Sequence, residues 1–334
     1  FILAEGKLWD ELEKILCAKA REGVEVKIIF DDFGNIKRFS GETIDRLREV
    51  GVEVFIFNPV HEYVNRLHFN YRDHRKIACI DGDVAYTGGV NIADEYANLI
   101  ERFGYWKDSG VCLEGEGAWG LTASFIRMCV NLGGVMHNEH DYYRPHTPVK
   151  SEGFCQPFTD GPQNNPDNPA EDVFLQMISG ARRFLYITTP YFIPDESLMR
   201  ALCIAGDGGV DVRLMLPGKP DHWYADCVAE SYFGELIKHG VKVYRYTPGF
   251  LHGKSIMVDR EAAFVGSANM DYRSFELDYE CGVMVYSAPM IESLLEDMDM
   301  IVDRSHLVTA EEWAKRSVLR RVFEPLLRLF AIWM

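Results

Sequence analysis

The sequence predicts an α/β protein made of two pseudo-symmetric lobes. Each lobe is expected to be a mainly parallel or mixed sheet flanked by helices, with the active site at the lobe interface. Two observations predict this architecture. Strand and helix patterns alternate in the same order in both halves, and one polar motif occurs once in each half. The 334 residues are enough for two domains of ordinary size.

The individual elements follow from short sequence patterns. Apolar residues at helical spacing over residues 8–16 predict a first helix, which ends at Gly23. The pattern Gly-Val-x-Val then predicts two strands in the first half, at Gly23 and Gly51. The same pattern predicts two strands in the second half, at Gly209 and Gly240. Each half therefore runs helix, strand, helix, strand, and then reaches the polar motif.

Proline content predicts the boundary between the repeats. Residues 144–170 hold six of the 14 prolines, which is typical of a connection. We predict a first repeat over residues 1–148, a linker over 149–170, and a second repeat with a C-terminal amphipathic tail over 171–334. Before the motif, the first half is 11 residues longer than the second (23 against 12, from glycine to histidine). That insertion, around residues 61–73, is either a substrate loop or a plain surface insertion.

The most specific signal is the polar motif His-x-Lys-x4-Asp, whose two copies lie 178 residues apart. A pair of small residues begins 14 residues after each histidine, and an asparagine follows the pair after one residue. Two such copies with matching downstream residues are very unlike a chance occurrence. The two copies contribute His74, Lys76, Asp81, Gly89 and Asn91, and His252, Lys254, Asp259, Ser267 and Asn269.

These residue types suit phosphodiester chemistry. In a strand, residues i and i+2 share a face, so each His projects with its Lys. One imidazole can attack phosphorus and the other can act as general acid and base. The Lys and Asn side chains stabilise the developing negative charge, and the small residues Gly89 and Ser267 let backbone N–H groups approach a phosphate. Because these donors replace a divalent ion, we predict no metal and no cofactor.

Carboxylates near the motifs are less specific. Asp81 and Asp259 are grouped with the catalytic residues, but they either orient a His or Lys or only hold a hairpin turn. Glu276, Asp278 and Glu280 alternate along one predicted strand, and one of them is a candidate to orient an active-site His. The alternative for most of these carboxylates is a position on a solvent-exposed face without a role in the site.

Bulk composition excludes some functions. The net charge of −16 argues against a nucleic-acid partner, because nucleic-acid binders usually carry a basic balance. Eight cysteines without a Cys-x-x-Cys pattern indicate reduced thiols in apolar segments. No run of about 18 apolar residues is present, so the sequence predicts no transmembrane helix. The tail after residue 311 is amphipathic, and either covers a sheet edge or lies at a lipid interface.

The motifs resemble those of the phospholipase D superfamily, and most closely those of bacterial cardiolipin synthases. The resemblance extends to residues 91–96, 188–195, 266–277 and 316–330. It implies two phospholipase D-like repeats that pass a phosphatidyl group between two phosphatidylglycerol molecules through a phosphohistidine, giving cardiolipin and glycerol. It also implies His74 as the nucleophile and His252 as the general acid and base.

The same resemblance implies the setting. Phosphatidylglycerol and a membrane lipid surface are the expected partners, and the bacterial cell membrane is the expected location. The catalytic part is expected to face the cytoplasm, with membrane segments upstream of residue 1. A hydrolytic phospholipase D or another phosphatidyltransferase is the alternative within the superfamily. A lipid-binding scaffold without activity is less expected, because no motif His or Lys is lost.

Overall fold

The computed structural model describes residues 1–60, 70–137, 142–150, 152–164, 166–317 and 327–329. Helices and strands alternate in the order that the sequence predicts. The first half contains α1 (Lys7–Arg21), β1 (Lys27–Asp31), α2 (Asp32–Asn35), α3 (Gly41–Glu49), β2 (Glu53–Phe57), β3 (Arg72–Asp73), β4 (Ile77–Ile80), β5 (Val84–Gly88), β6 (Tyr105–Lys107), β7 (Gly110–Glu114) and α4 (Trp119–Asn131).

The second half repeats this plan with a longer sheet. Its elements are β8 (Phe154–Asp160), α5 (Pro169–Gly180), β9 (Phe184–Thr188), β10 (Phe192–Ile193), α6 (Glu196–Asp207), β11 (Asp211–Pro217), α7 (Trp223–Lys238), β12 (Lys242–Tyr246), β13 (Gly249–Leu251), β14 (Ser255–Val258), β15 (Ala262–Gly266), β16 (Met270–Asp271), α8 (Tyr272–Glu276), β17 (Asp278–Tyr286), α9 (Met290–Asp303), β18 (Ser305–Leu307) and α10 (Ala310–Ala314).

A mixed sheet of nine strands forms the centre of the second half. Its order is β18-β12-β11-β9-β14-β15-β17-β3, and β8 also pairs with β17. Strands β9, β11 and β12 are parallel, whereas β14, β15 and β17 form antiparallel pairs. The apolar faces of α5, α6 and α7 pack on one side, and α9 packs on the other. The predicted α/β architecture with helices on both faces is therefore confirmed.

The sheet of the first half is divided into two pieces. Strands β1 and β2 form a parallel pair, and β4, β5 and β7 form a separate antiparallel sheet. In the second half the counterparts of β1 and β4 are β11 and β14, and both pair with β9. The described residues of the first half place no strand between β1 and β4. A cavity of about 530 Å³, lined by residues such as Phe30 and Ile77, lies there instead.

The proline-rich segment contributes more than a connection. Within residues 149–170, strand β8 pairs antiparallel with β17 over seven residues. Asp160, at the end of β8, accepts hydrogen bonds from the backbone N–H groups of Gly161 and Ala170. These bonds fix the start of α5 against the sheet, so part of the predicted linker belongs to the second-half sheet.

Two short strand pairs join the halves. Strand β3 of the first half runs parallel to β17 of the second, with Asp73 opposite Tyr279. Strand β6 of the first half runs parallel to β13 of the second, with Lys107 opposite Leu251. The β3–β17 pairing ends one residue before His74, and the β6–β13 pairing ends one residue before His252. The lobe interface is thus built at the same place in both repeats.

Two of the sequence predictions concern residues that the structure does not describe. Residues 61–69 of the first-half insertion lie outside the described residues, as does most of the C-terminal tail beyond residue 317. None of the helices in the described ranges has the length and hydropathy needed to span a bilayer.

Candidate active site

Each His-x-Lys motif enters the site just before a hairpin. His74 and Lys76 precede β4, which pairs with β5, and His252 and Lys254 precede β14, which pairs with β15. Each lysine turns back on its own histidine. The ammonium group of Lys76 donates to the carbonyl oxygen of His74. The Lys254 Nζ donates to the carbonyl oxygen of His252 at 2.6 Å and lies 3.1 Å from its Nε2. The predicted pairing of His and Lys is present in both copies.

Each histidine is held by a carboxylate from the other half of the chain. The Nδ1 of His74 lies 2.8 Å from Oε1 of Glu280, and the Nδ1 of His252 lies 2.7 Å from Oδ2 of Asp108. Both carboxylates are buried, with Glu280 side-chain exposure at 1% and Asp108 at 6%. A carboxylate on Nδ1 fixes the ring and leaves Nε2 as the reactive nitrogen. The two repeats therefore exchange their orienting acids.

The strand pairs between the halves explain this exchange. The N–H of His74 donates to the carbonyl oxygen of Tyr279, and the N–H of His252 donates to that of Lys107. These bonds extend the β3–β17 and β13–β6 pairs by one residue. His74 then comes to lie beside Glu280, and His252 beside Asp108. Backbone pairing thus sets the side-chain geometry.

The alternation of Glu276, Asp278 and Glu280 predicts Glu280 as one of three candidates, but it does not indicate Asp108. The sheet register shows the signal that identifies both. Gly88 pairs with Gly110 and Gly266 pairs with Gly282, and the acid stands two residues before the second glycine in each case. Both copies therefore read acid-x-Gly-Val at the start of an apolar strand. This third repeated pattern is short, but its placement relative to the hairpins is the same.

Burial controls the protonation of both imidazoles. Burial, followed by the charges of Lys76 and Lys254, lowers the pKa of His74 well below its usual value. Burial and the charge of Lys254 lower the pKa of His252 to about 4, although Asp108 opposes the shift. The effect of Lys254 on His74 reflects the proximity of the two repeats. Both imidazoles are neutral at pH 7 in the unliganded protein.

The two carboxylates differ in their own titration. Burial raises the pKa of Glu280, and the charge of Lys76 only partly offsets this. Burial also opposes ionisation of Asp108, but the charge and hydrogen bond of His252 outweigh it, so the pKa of Asp108 lies below its usual value. Asp108 therefore supplies a firmer negative charge than Glu280, and the two His–acid pairs are not electrically equivalent.

Burial also lowers the pKa of the two lysines. It brings the pKa of Lys76 to about 8 and that of Lys254 to about 7. Lys254 is almost completely buried at 1% exposure. A bound phosphodiester would favour the charged form of both groups. The site is thus arranged to concentrate positive charge where an anionic oxygen is placed.

Both halves of the chain match a known protein family. Residues 8–101 and 174–302 match the family described as "Cardiolipin synthase, PLD-like domain". The chain belongs to this family. A cardiolipin synthase of Halalkalibacterium halodurans is 37% identical over 99% of the chain and 66% of that relative. A cardiolipin synthase of Clostridium perfringens is 36% identical over 98% of the chain and 70% of that relative. The chain thus spans about two thirds of the length of such cardiolipin synthases.

A solved structure supports the fold over nearly the whole chain. The phosphatidylserine synthase of Haemophilus influenzae matches with a TM-score of 0.70 and 16% identity, covering 98% of this chain and 85% of that one. Together with the two segments that match the PLD-like family model, this shared fold confirms the predicted two-lobe architecture for this member of the cardiolipin synthase family.

The four predicted phosphate-binding residues of this family member occupy two kinds of position. Gly89 and Ser267 lie directly against the orienting acids. A side chain on Gly89 would begin 2.2 Å from Oδ1 of Asp108, and the Ser267 hydroxyl donates to Oε2 of Glu280. We infer that these two residues make room for and orient the acids. Their contribution to phosphate binding stays a prediction.

The two asparagines are buried and are held differently. The Asn91 Oδ1 accepts from the N–H of Ile2, and its Nδ2 donates to the hydroxyl of Tyr96 at 2.7 Å. The backbone N–H of Asn269 donates to Ser274, whereas its Oδ1 is buried with no hydrogen-bond partner among the described residues. That oxygen is an acceptor and cannot bond a phosphate oxygen, so phosphate binding by Asn269 depends on its Nδ2 donor. Asn269 therefore stays a predicted substrate-binding residue.

The motif aspartates occupy hairpin turns. Asp81 is exposed, with a left-handed φ of 55° after β4. Asp259 is buried and accepts hydrogen bonds from the backbone N–H groups of Arg182, Arg183 and Phe184, each at 2.8 Å. These contacts support the alternative that Asp259 holds the turn against the start of β9.

The Asp259 contacts predict a loss of stability in the Asp259→Ala variant. Three N–H donors would lose a charged acceptor, so we expect the free energy of unfolding to fall by about 2–3 kcal/mol. The equivalent change Asp81→Ala removes an exposed side chain and is the matched control, at about 0.5 kcal/mol. Urea unfolding followed by tryptophan fluorescence measures both. Equal losses in the two variants would contradict this assignment.

One group in the described part of the chain has the donor atoms of a metal site. Donor atoms of His74, Asp278 and Glu280 lie within 4.8 Å of one another. Glu280 already contacts His74 and Ser267, and burial raises the pKa of Asp278 well above its usual value. A raised pKa disfavours the carboxylate that a metal needs. The arrangement fits proton handling at His74 better than metal binding.

Proposed function

We propose that this protein transfers a phosphatidyl group from one phosphatidylglycerol to another, giving cardiolipin and glycerol. The observation that supports this most strongly is the exchange of orienting acids between the repeats, because it presents two prepared imidazoles to one site. The names of the related cardiolipin synthases agree with the proposal. The location we propose is the bacterial cell membrane, where both lipid substrates reside.

In the first step, Nε2 of neutral His74 attacks the phosphorus of the donor lipid. The bond from phosphorus to the glycerol headgroup breaks, and His252 gives its proton to the leaving oxygen. Glycerol departs and a phosphatidyl group stays on His74. The anionic phosphodiester of the bound donor raises the pKa of His252 above its unliganded value, because opposite charge favours the imidazolium. Lys76 and Lys254 stabilise the charge on the non-bridging oxygens.

In the second step, His252 is neutral and acts as the base. It takes the proton from a primary hydroxyl of the second phosphatidylglycerol as that oxygen attacks phosphorus. The phosphorus–nitrogen bond breaks and neutral His74 is restored. The proton that left with glycerol is replaced by the proton of the incoming hydroxyl, so the cycle closes. Water in place of the lipid hydroxyl would give phosphatidic acid.

The two acid partners favour this order of roles. The nucleophile must be neutral, and Glu280 is the weaker anion because burial raises its pKa. The proton donor needs its imidazolium stabilised, and Asp108 is the firmer anion. We therefore assign His74 as the nucleophile and His252 as the general acid and base, as the resemblance implied.

The proposal is tested with full-length protein on vesicles of pure phosphatidylglycerol. We expect cardiolipin and free glycerol in equal amounts, identified by mass spectrometry of the lipids and an enzymatic assay of glycerol. Phosphatidic acid as the sole lipid product would contradict transfer and support the hydrolytic alternative. Unchanged lipid, with protein bound to the vesicles, would support a scaffold.

A further inference from the structure

Three basic side chains from both halves gather beside the His252 end of the site. Gly104 lies next to this group, and the Lys219 Nζ is 3.1 Å from where a side chain on Gly104 would begin. The guanidinium of Arg102 lies 5.3 Å from the ring of Phe103, and the His222 ring lies 6.1 Å from that of Tyr191. Both aromatic rings lie beside Phe250. We call Arg102, Lys219 and His222 the basic rim. It belongs to the same edge of the second-half sheet as His252, because the loops after β11 and β12 lie there.

Contacts connect the basic rim with His252. The ring of Phe103 lies 6.1 Å from that of Phe250, which in turn lies 5.7 Å from the imidazole of His252. The N–H of Lys219 donates to the carbonyl oxygen of Gly249 at 3.4 Å. Tyr191, whose hydroxyl donates to Asp221, has its ring 6.5 Å from that of Phe250. The basic rim is therefore adjacent to the imidazole that activates the incoming hydroxyl.

The acids of this region lie beneath the basic groups. Asp221 accepts from Tyr191 at 2.6 Å and lies 2.9 Å from Nδ1 of His222. Its side chain is 15% exposed, against 49% for His222. Glu95 is likewise 11% exposed, against 51% for its partner Arg102. Each carboxylate orients a basic group from below, and the outer face presents N–H donors.

Exposed apolar side chains flank the basic rim. Leu99 and Ile100 precede Arg102 and are 47% and 49% exposed. Trp223 follows His222 and is 64% exposed. A phospholipid headgroup bound at a membrane surface offers anionic phosphate next to apolar chains, and aromatic and aliphatic residues favour that boundary. The rim thus combines the two features that such a ligand needs.

We propose that Arg102, Lys219 and His222 form a subsite for the phosphodiester of the acceptor phospholipid. This inference rests on the proposed function, because it names where the second phosphatidylglycerol binds. The donor phosphodiester occupies the two His-Lys pairs. The acceptor phosphodiester lies only a glycerol unit away from its attacking hydroxyl, so a cationic group beside His252 positions that hydroxyl for deprotonation.

The test compares two acceptors in full-length protein. Vesicles that contain phosphatidylglycerol at a low surface fraction in a neutral phospholipid are incubated with and without propanol. Propanol has no phosphate, and its transfer product is phosphatidylpropanol. For His222→Gln and Lys219→Ala, we expect the ratio of cardiolipin to phosphatidylpropanol to fall about tenfold each, the loss of one charge-assisted contact. Lys238→Ala is the control, because Lys238 is exposed at the other end of α7.

Each outcome decides the inference. An unchanged ratio, or equal losses of both products, would overturn the subsite. Recovery of the ratio at a high surface fraction of phosphatidylglycerol would support it, since weaker acceptor binding is then overcome by mass action. Added inorganic phosphate that inhibited the formation of cardiolipin but not of phosphatidylpropanol would also support the subsite, because the phosphate would then occupy the basic rim. Wild-type protein that forms phosphatidylpropanol without cardiolipin would contradict the proposed function, independently of the rim variants.

Discussion

The His74→Ala variant is expected to lose about 10⁴-fold or more of its cardiolipin-forming rate. His74 is the proposed point of covalent attachment, so its loss removes the phosphohistidine route altogether. The fold should persist, because the imidazole is partly exposed at 12% and lies outside the main apolar clusters. The measurement is the initial rate of cardiolipin formation on phosphatidylglycerol vesicles. Full activity in this variant would refute the nucleophile assignment.

A donor with a better leaving group separates the roles of the two histidines. A phosphatidyl ester of p-nitrophenol needs little protonation when its headgroup leaves, so it bypasses the general acid. We expect His252→Ala to release nitrophenol in a burst of about one equivalent and to retain the phosphatidyl group on the protein. His74→Ala should give neither. The control is His306→Ala, which changes an exposed imidazole on β18. A burst in His74→Ala alone would exchange the two roles.

Most of the fold follows from local sequence patterns. The Gly-Val-x-Val segments at Gly51, Gly209 and Gly240 run into β2, β11 and β12, whereas the segment at Gly23 directly precedes β1. The helix predicted to end at Gly23 is α1, whose last residue is Arg21. These succeed because amphipathic spacing and glycine caps act over a few residues. The divided sheet of the first half was not predicted, because the pairing of β1 or β4 depends on whether a strand lies between them. The local sequence patterns of β1 and β4 do not show whether a strand lies between them.

Some residues of the candidate site likewise follow from local sequence patterns, whereas others depend on pairing between distant strands. The two His-Lys pairs were predicted from the i, i+2 spacing of a strand face. In the structure they lie between β3 and β4 and between β13 and β14, outside the strands, and Lys254 folds back on His252. Asp108 was missed because its role depends on the β6–β13 pairing, which joins residues 144 apart. The grouping of Asp259 with the catalytic residues reflected its place in the motif, whereas its contacts are with Arg182 and its neighbours. Motif membership does not separate a turn-holding residue from a reactive one.

The exchanged acids should control opposite limbs of the pH–rate profile. Removing the anion beside an imidazole lowers the pKa of that imidazole, because the charged form loses its partner. In Glu280→Gln, His74 would stay neutral to lower pH, so the acid limb of the profile shifts to lower pH. In Asp108→Asn, His252 would lose its proton at lower pH, so the alkaline limb also shifts to lower pH. Both variants should also lose about 10²- to 10⁴-fold of the maximal rate, because ring orientation suffers.

The experiment records cardiolipin formation against pH for the wild type and both variants, with Asp303→Asn and Glu296→Gln as exposed controls of the same chemistry. The two limbs shift independently only if each acid serves one histidine. If Asp108→Asn moved the acid limb and Glu280→Gln the alkaline limb, His252 would be the nucleophile. If both variants shifted the same limb, the carboxylates would serve one shared titration and the division of labour between the repeats would be wrong. The geometry favours separate control, because each carboxylate contacts the Nδ1 of one histidine.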